Sequence, residues 1–323
     1  MTKHSLIIGG AGFIGSNLSS KLLLDGNQVT VIDNFSRGLH AYLAEHIKND
    51  RFNFFNFDVA IRQQCIDAFE NAQKISKIDE VWHLAANSDI PAGVSNPDID
   101  LKDTFLTTFE ILIQLKKYDI PVLHFASSSA IYGDFGDDEI YESIGPLLPI
   151  SNYGAMKLAS EAQISAACES YLSRANIFRF PNVVGIPATH GVILDFVNKL
   201  KVNREELVVL GNGTQKKAYL HVSDLVSAMQ LITTKESPQK ALLVNIGPVD
   251  DGVTVKWIAE KVVERINPKA RIIYGEGSKG WVGDVPKFNY STEKLKSFGW
   301  SPSLSSSASI LRAIDEISNQ EKF

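Results

Sequence analysis

The sequence predicts an α/β fold: a doubly wound parallel sheet with a smaller C-terminal lobe. Three observations carry that prediction. Short apolar runs rich in β-branched residues alternate with longer helical patterns, the first run ends in a glycine turn, and the alternation loosens beyond about Pro181. Uninterrupted apolar runs suit strands buried on both faces, and parallel neighbours need crossovers of the length seen between them. At 323 residues the chain is long enough for such a sheet and a second lobe.

The strands follow in order as "SLIIG" (5–9), "VTVID" (29–33), "FNFFNF" (52–57), "EVWHLA" (80–85), "PVLHFAS" (121–127) and "ANIFRF" (175–180). Glycine and proline then recur in "VGIPATHG", "LGNGTQ" and "YGEGSKGWVGDVP", as expected of an irregular lobe. "YLHVSDLVSAMQLI" (219–232) has the pattern of a strand, a turn and a helix that return to the main sheet. Pro302 and the serines of "SPSLSSSAS" (301–309) read as the cap of a last helix.

In "GGAGFIGSNL", Gly9, Gly12 and Gly15 follow the first strand and open a helix that Gly26 closes. Glycine removes Cβ where the backbone must meet a pyrophosphate, and a helix start offers N–H groups and a positive dipole end. With Phe13 and Ile14 at that start, the turn reads as a dinucleotide-binding fingerprint and the sheet as Rossmann-type. The second strand ends in "VIDNFSRG". There Asp33, with Asn34 beside it, is placed to accept hydrogen bonds from the adenosine ribose, and its charge would repel a 2′-phosphate. Arg37 would favour such a phosphate, but the acid at the strand end weighs more, so the expected cofactor is NAD. Asp58 and Val59 could flank the adenine. Leu84, Ala85 and Ala86 close the fourth strand and leave room for the cofactor, an arrangement that plain packing also explains. The expected division is 1–180 for the NAD-binding domain, with 218–246 returning to it, and 181–217 with 247–323 for a substrate-binding lobe.

Composition excludes other classes. The formal charge of −5 argues against a broad electrostatic grip on nucleic acid. No apolar run approaches the length of a membrane span, and the start lacks the apolar region of a secretion signal. Two cysteines far apart, Cys65 and Cys168, fit a reducing, cytoplasmic setting. The seven histidines show no close pairing with cysteines or carboxylates of the zinc type, so no metal is expected.

"SNYGAMK" puts Tyr153 and Lys157 on one helix face, a spacing that fits an ordinary helix start as well as a working site. Its company decides. Together with "GGAGFIGSNL" and "VIDNFSRG", the chain carries "HLAA" (83–86), "ASSSAIYGD" (126–134), "SNYGAMKLASE" (151–161), "FRFPNVVG" (178–185), "YLHVSDLVSA" (219–228) and "GDVPKFNYSTEKLKSFGW" (283–300). In that order they resemble the extended short-chain dehydrogenase/reductase family, and within it the NAD-dependent nucleotide-sugar epimerases of the UDP-glucose 4-epimerase kind. The resemblance spans nearly the whole chain. It is specific for fold and family and less so for the reaction.

The resemblance implies a catalytic pair at Tyr153 and Lys157, and a catalytic hydroxyl at Ser128, four residues before Tyr132-Gly133. The chemistry needs these types. An alcohol must lose its proton as its carbon gives up a hydride, and free tyrosine, with a pKa near ~10, is a poor base at neutral pH. A nearby ammonium and an oxidised nicotinamide both favour tyrosinate. Lys157 also has donors for the nicotinamide ribose, and Ser128 can steady the reacting oxygen or relay its proton.

Family 4,6-dehydratases carry Asp-Glu after that serine, and uronic-acid decarboxylases a Glu nearby. Ser129 and Ala130 stand there in this chain. Neither is an acid, so a ketosugar would turn and be reduced on its other face, which is epimerisation, most readily at C4 of a UDP-hexose. On the substrate side, Asn182 matches the family asparagine that contacts the sugar diphosphate, and Lys217 stands where many relatives have Arg. Lysine keeps the charge and loses the two-pronged grip on phosphate. Trp281 replaces a second arginine and can stack on a base or sugar or simply pack. Asp103 replaces a common Asn, and "THGVILDFVNKLK" (189–201) is expected to supply apolar contacts near the nucleotide.

Relatives pair two helices per subunit into a four-helix bundle. A homodimer is therefore expected here through Leu101, Phe105, Phe109, Leu112 and Ile113 and through Ala155, Ala159, Ala162, Ala166 and Ala167. The alternatives are a nucleotide-sugar dehydratase or decarboxylase, and an NAD-binding relative without catalysis. Such relatives usually lose the Tyr or the Lys, and this chain keeps both.

Overall fold

Seven strands form the central sheet of the computed structural model, which describes residues 2–136, 138–277 and 289–323. They are β1 (His4–Ile8), β2 (Gln28–Asp33), β3 (Phe52–Asn56), β4 (Glu80–His83), β5 (Val122–Ala126), β6 (Arg174–Arg179) and β7 (Ala241–Asn245). Each expected strand is present, its ends moved by no more than two residues. The order is β7-β6-β5-β4-β1-β2-β3, and the neighbours from β3 to β6 all run parallel. The chain winds outward from β1 through β2 to β3, then restarts on the other side of β1 with β4. That reversal opens a crevice at the carboxyl ends of β1 and β4, where a ligand can enter between loops that diverge.

Alternate residues of these strands share a face. Leu6, Ile8, Val81, Leu123, Phe125 and Ile177 meet Phe69, Ile111, Leu115 and Ile164 in one buried cluster. The helical partners come from α2 (Arg62–Ile75), α3 (Thr107–Lys117) and α4 (Asn152–Ser170), while α1 (Phe13–Leu24) follows the glycine turn. Gly26, at φ +88°, ends α1 and donates its N–H to the Leu23 carbonyl.

Two expectations change. "YLH" does not join the main sheet: Tyr219–His221 pairs in parallel with Asn182–Val184, and the longer run "ALLVN" takes the edge beside β6. The helix expected to carry Leu101 to Ile113 opens with a π-helical turn, Leu101–Leu106, before α3. A π turn loosens the backbone ladder. Here the Thr104 carbonyl accepts the hydroxyls of Thr107 at 3.1 Å and Thr108 at 3.3 Å, which offset that loss.

The chain divides into two compact units. The first comprises Met1–Gly133, Pro146–Arg179 and Met229–Val244, and the second Asp134–Gly145, Phe180–Ala228 and Asn245–Phe323. In the second, helices Val192–Val202, Val255–Ile266 and Ser306–Gln320 bury Phe196, Leu200, Ile258, Val262, Ile310 and Ile314 together. The apolar residues of "THGVILDFVNKLK" thus serve this core: Ile193, Phe196, Val197 and Leu200 are all buried in it. Ser305 caps the last helix by accepting the Ala308 N–H at 3.2 Å. Among the described residues no helix is long and apolar enough to cross a membrane.

Candidate active site

Gly9 leaves β1 at φ +83°, a region that side chains disfavour. A Cβ there would also come within 2.7 Å of the Ala85 backbone nitrogen. The ends of β1 and β4 therefore meet through bare backbone, and the Ile8 carbonyl accepts the N–H groups of both Leu84 and Ala85, at 2.9 and 3.0 Å. Gly15 brings α1 equally close: its Cβ would fall 2.2 Å from the Gly9 carbonyl oxygen. Gly12 is the N-cap of α1, no side chain caps it, and the first turn carries no acid. Phe13 and Ile14 begin that turn, half-buried. Uncapped N–H groups and a positive dipole end are the donor set a pyrophosphate needs, so this turn fits a dinucleotide.

Asp33 closes β2, buried. Its Oδ2 accepts the Ala11 N–H at 2.9 Å and its Oδ1 the Phe35 N–H at 2.8 Å. Burial raises its carboxyl pKa, and the two N–H bonds work against that rise. Each oxygen keeps a lone pair for a ribose hydroxyl. Asn34 is exposed beside it, its Oδ1 accepting the Ser36 N–H at 3.0 Å. Asp58 accepts the Ala60 N–H on Oδ1 at 3.0 Å and Lys102 Nζ on Oδ2 at 2.9 Å. Val59 packs into the core below. Leu84, Ala85 and Ala86 are half-buried.

The third cluster gathers beyond β5. Ser128 is extended and accepts the Ala130 N–H at 3.1 Å, which opens the short turn Ser129–Ile131. Ser151 caps α4 by accepting the Gly154 N–H at 3.1 Å, so Tyr153 lies in the first helical turn. That turn presses onto the Ser128 loop: a Cβ on Gly154 would lie 2.4 Å from the Ala130 carbonyl oxygen. The contact brings Ser128 beside the Tyr153 phenol. Burial pushes the phenol up to about 12; the Ser128 bond opposes that rise and the charge of Asp100 adds to it. Lys157 is 1% exposed. Its Nζ donates to the Ala126 carbonyl at 2.6 Å and lies 4.6 Å from the Phe125 ring centre and 5.8 Å from that of Tyr153. Burial brings its ammonium down to about 7, against the pull of Glu161.

Sequence reasoning missed what stands behind this cluster. Arg179, at the end of β6, donates through Nε to Glu161 Oε1 at 3.0 Å, through Nη2 to Oε2 at 2.6 Å, and through Nη1 to the Tyr132 hydroxyl at 2.9 Å. Ser127 donates its hydroxyl to the same carboxylate. The available signal was Glu161 one helical turn beyond Lys157, on the same face.

The residues expected on the substrate side fall in the second unit. Asn182 opens the strand Asn182–Val184, exposed, and pairs with Tyr219. Lys217, half-buried, pairs with Val253. Trp281 lies outside the described residues.

Comparison with known proteins agrees with this fold. Residues 5–247 match the NAD dependent epimerase/dehydratase family. A crystal structure of a UDP-galactose 4-epimerase superposes with a TM-score of 0.84 at 31% identity, over 98% of this chain and 99% of that one. The UDP-glucose 4-epimerase of Thermus thermophilus, solved with NAD, gives 0.83 at 27%, over 97% and 98%. The UDP-glucuronic acid decarboxylase 1 of Xenopus tropicalis is 31% identical over 70% of this chain and 52% of its own length.

Proposed function

The chain belongs to the NAD dependent epimerase/dehydratase family, and from that membership we infer that it epimerises a nucleotide-diphosphate sugar, at C4 of a UDP-hexose, through a transient 4-keto form. The observation that carries this reading is the convergence of Ser128, Tyr153 and Lys157 beyond β5 with no acid at Ser129 or Ala130.

Gly9, Gly12, Phe13, Ile14 and Gly15 would hold the cofactor's pyrophosphate, Asp33 and Asn34 its adenosine ribose, and Leu84, Ala85 and Ala86 the adjoining wall. Bound NAD supplies the acceptance and return of a hydride. The chain's own residues handle the proton. Tyr153 Oη takes it from the sugar hydroxyl and returns it to the epimer, and Ser128 steadies the same oxygen. A phenol near 12 is no base at neutral pH, so the work rests on positive charge drawn close to it, of which Lys157 supplies the protein's share. Asn182, Lys217 and Trp281 are assigned to the nucleotide sugar. The two cysteines, unpaired and buried, support a reducing compartment.

The test is NMR of UDP-hexoses, their N-acetyl forms and UDP-uronic acids with the purified protein in deuterated water. Interconversion of one pair of C4 epimers is expected, without deuterium at C4. Release of water or carbon dioxide would replace this reading with a dehydratase or decarboxylase.

A homodimer is part of the same proposal. Leu101, Phe109 and Ile113 are exposed along one stripe, with half-buried Phe105 between them, and Ala162 and Ala166 are exposed on α4. Leu112 and Ala167 turn inward to the core instead. Light scattering at micromolar concentration should return twice the chain mass, and a single chain mass would exclude the pairing.

A further inference from the structure

We propose that Asp89 is a second determinant of cofactor choice: it draws the Arg37 guanidinium away from the ribose end of the crevice and denies a 2′-phosphate its cation. This rests on the NAD reading above. The loop after β2 wraps the Asp33 carboxylate, since Phe35 and Ala11 both donate N–H to it. A Cβ on Gly38 would lie 2.5 Å from the Ala11 carbonyl oxygen, so the loop rests directly on the glycine turn. Arg37 leaves the loop at that point. A guanidinium so placed is the ordinary partner of a 2′-phosphate.

Here it reaches instead to the segment that follows β4, where Nη2 donates to Asp89 Oδ2 at 3.0 Å. Asp89 is held for this role. Its N–H donates to Asn87 Oδ1 at 2.9 Å, and its Oδ1 caps the helix Ile90–Ser95 by accepting the Ala92 N–H at 3.0 Å. Asn87 is anchored in turn on the buried Asp100, at 2.8 Å. The cap thus fixes one carboxylate oxygen and turns the other to Arg37.

The experiment offers the protein an equimolar excess of NAD and NADP, removes the free nucleotides and identifies the bound ones by chromatography. Asn caps a helix about as well as Asp, so Asp89→Asn removes charge without removing the cap. An exposed ion pair is weak, so the bound NADP-to-NAD ratio should rise about two- to fivefold in Asp89→Asn. It should return to the wild-type value when Arg37→Ala is added. A ratio unchanged in Asp89→Asn, or a rise that survives Arg37→Ala, would overturn the proposal. A wild-type protein loaded with NADP would instead overturn the NAD reading itself.

Discussion

Tyr153→Phe should lower turnover of the C4 epimers by about 10²–10⁴-fold, the usual contribution of a positioned acid–base group. The ring stays and only the hydroxyl goes, so the packing of α4 on the Ser128 loop should survive. NAD binding and the melting temperature are expected to stay near wild type, because neither the glycine turn nor Asp33 touches the lost atom. Following both epimers by NMR with wild type and variant checks the assignment. A variant turning over within a few-fold of wild type would remove Tyr153 from the chemistry.

Glu161→Ala should have the largest effect on stability. Arg179 and Glu161 are 3% and 6% exposed, and their two parallel hydrogen bonds lie out of reach of water. Burial works against the guanidinium, but Glu161 more than offsets this and holds it charged beyond its usual range. Removing the carboxylate strands a buried charge and frees Ser127 from its anchor. Breaking a buried pair from one side costs about 3–5 kcal/mol. A denaturant titration reads the loss directly. The control is Glu161→Met/Arg179→Met, which removes both charges and should recover part of the loss. If Glu161→Ala alone unfolds at the wild-type midpoint, the pair does not hold this region together.

The strands of the sheet and the glycine turn were legible because one local pattern determines each: an apolar run buried on both faces, and glycines where backbone meets backbone. Gly9 against Ala85 is that pattern made geometric. Tyr153 and Lys157 were legible only in company, since their spacing is common and it took "ASSSAIYGD" to give them a partner. The π turn at 101–106 was not legible, because it depends on threonine hydroxyls bonding back to the Thr104 carbonyl. Nor was the edge strand: "YLH" and "ALLVN" are both apolar runs, and pairing with Asn182–Val184 decides between them. Lys157 illustrates the remaining gap. Its position could be read from sequence, but its bond to the Ala126 carbonyl depends on where β5 ends.

The division into two units bears on how such a chain can diversify. Every residue assigned to the hydride and the proton, from Gly9 to Lys157, belongs to the first unit, whereas Asn182 and Lys217 belong to the second. Under the proposed assignment, a substitution near Asn182 or Lys217 would alter how the sugar diphosphate is held while the phenol, the ammonium and the glycine turn stay as they are. Under the same assignment, a carboxylate gained at position 129 or 130 would offer the ketosugar another fate. A lineage built on this plan can acquire new products by few steps, without rebuilding its redox apparatus. That agrees with the epimerases and decarboxylase whose names stand among its relatives.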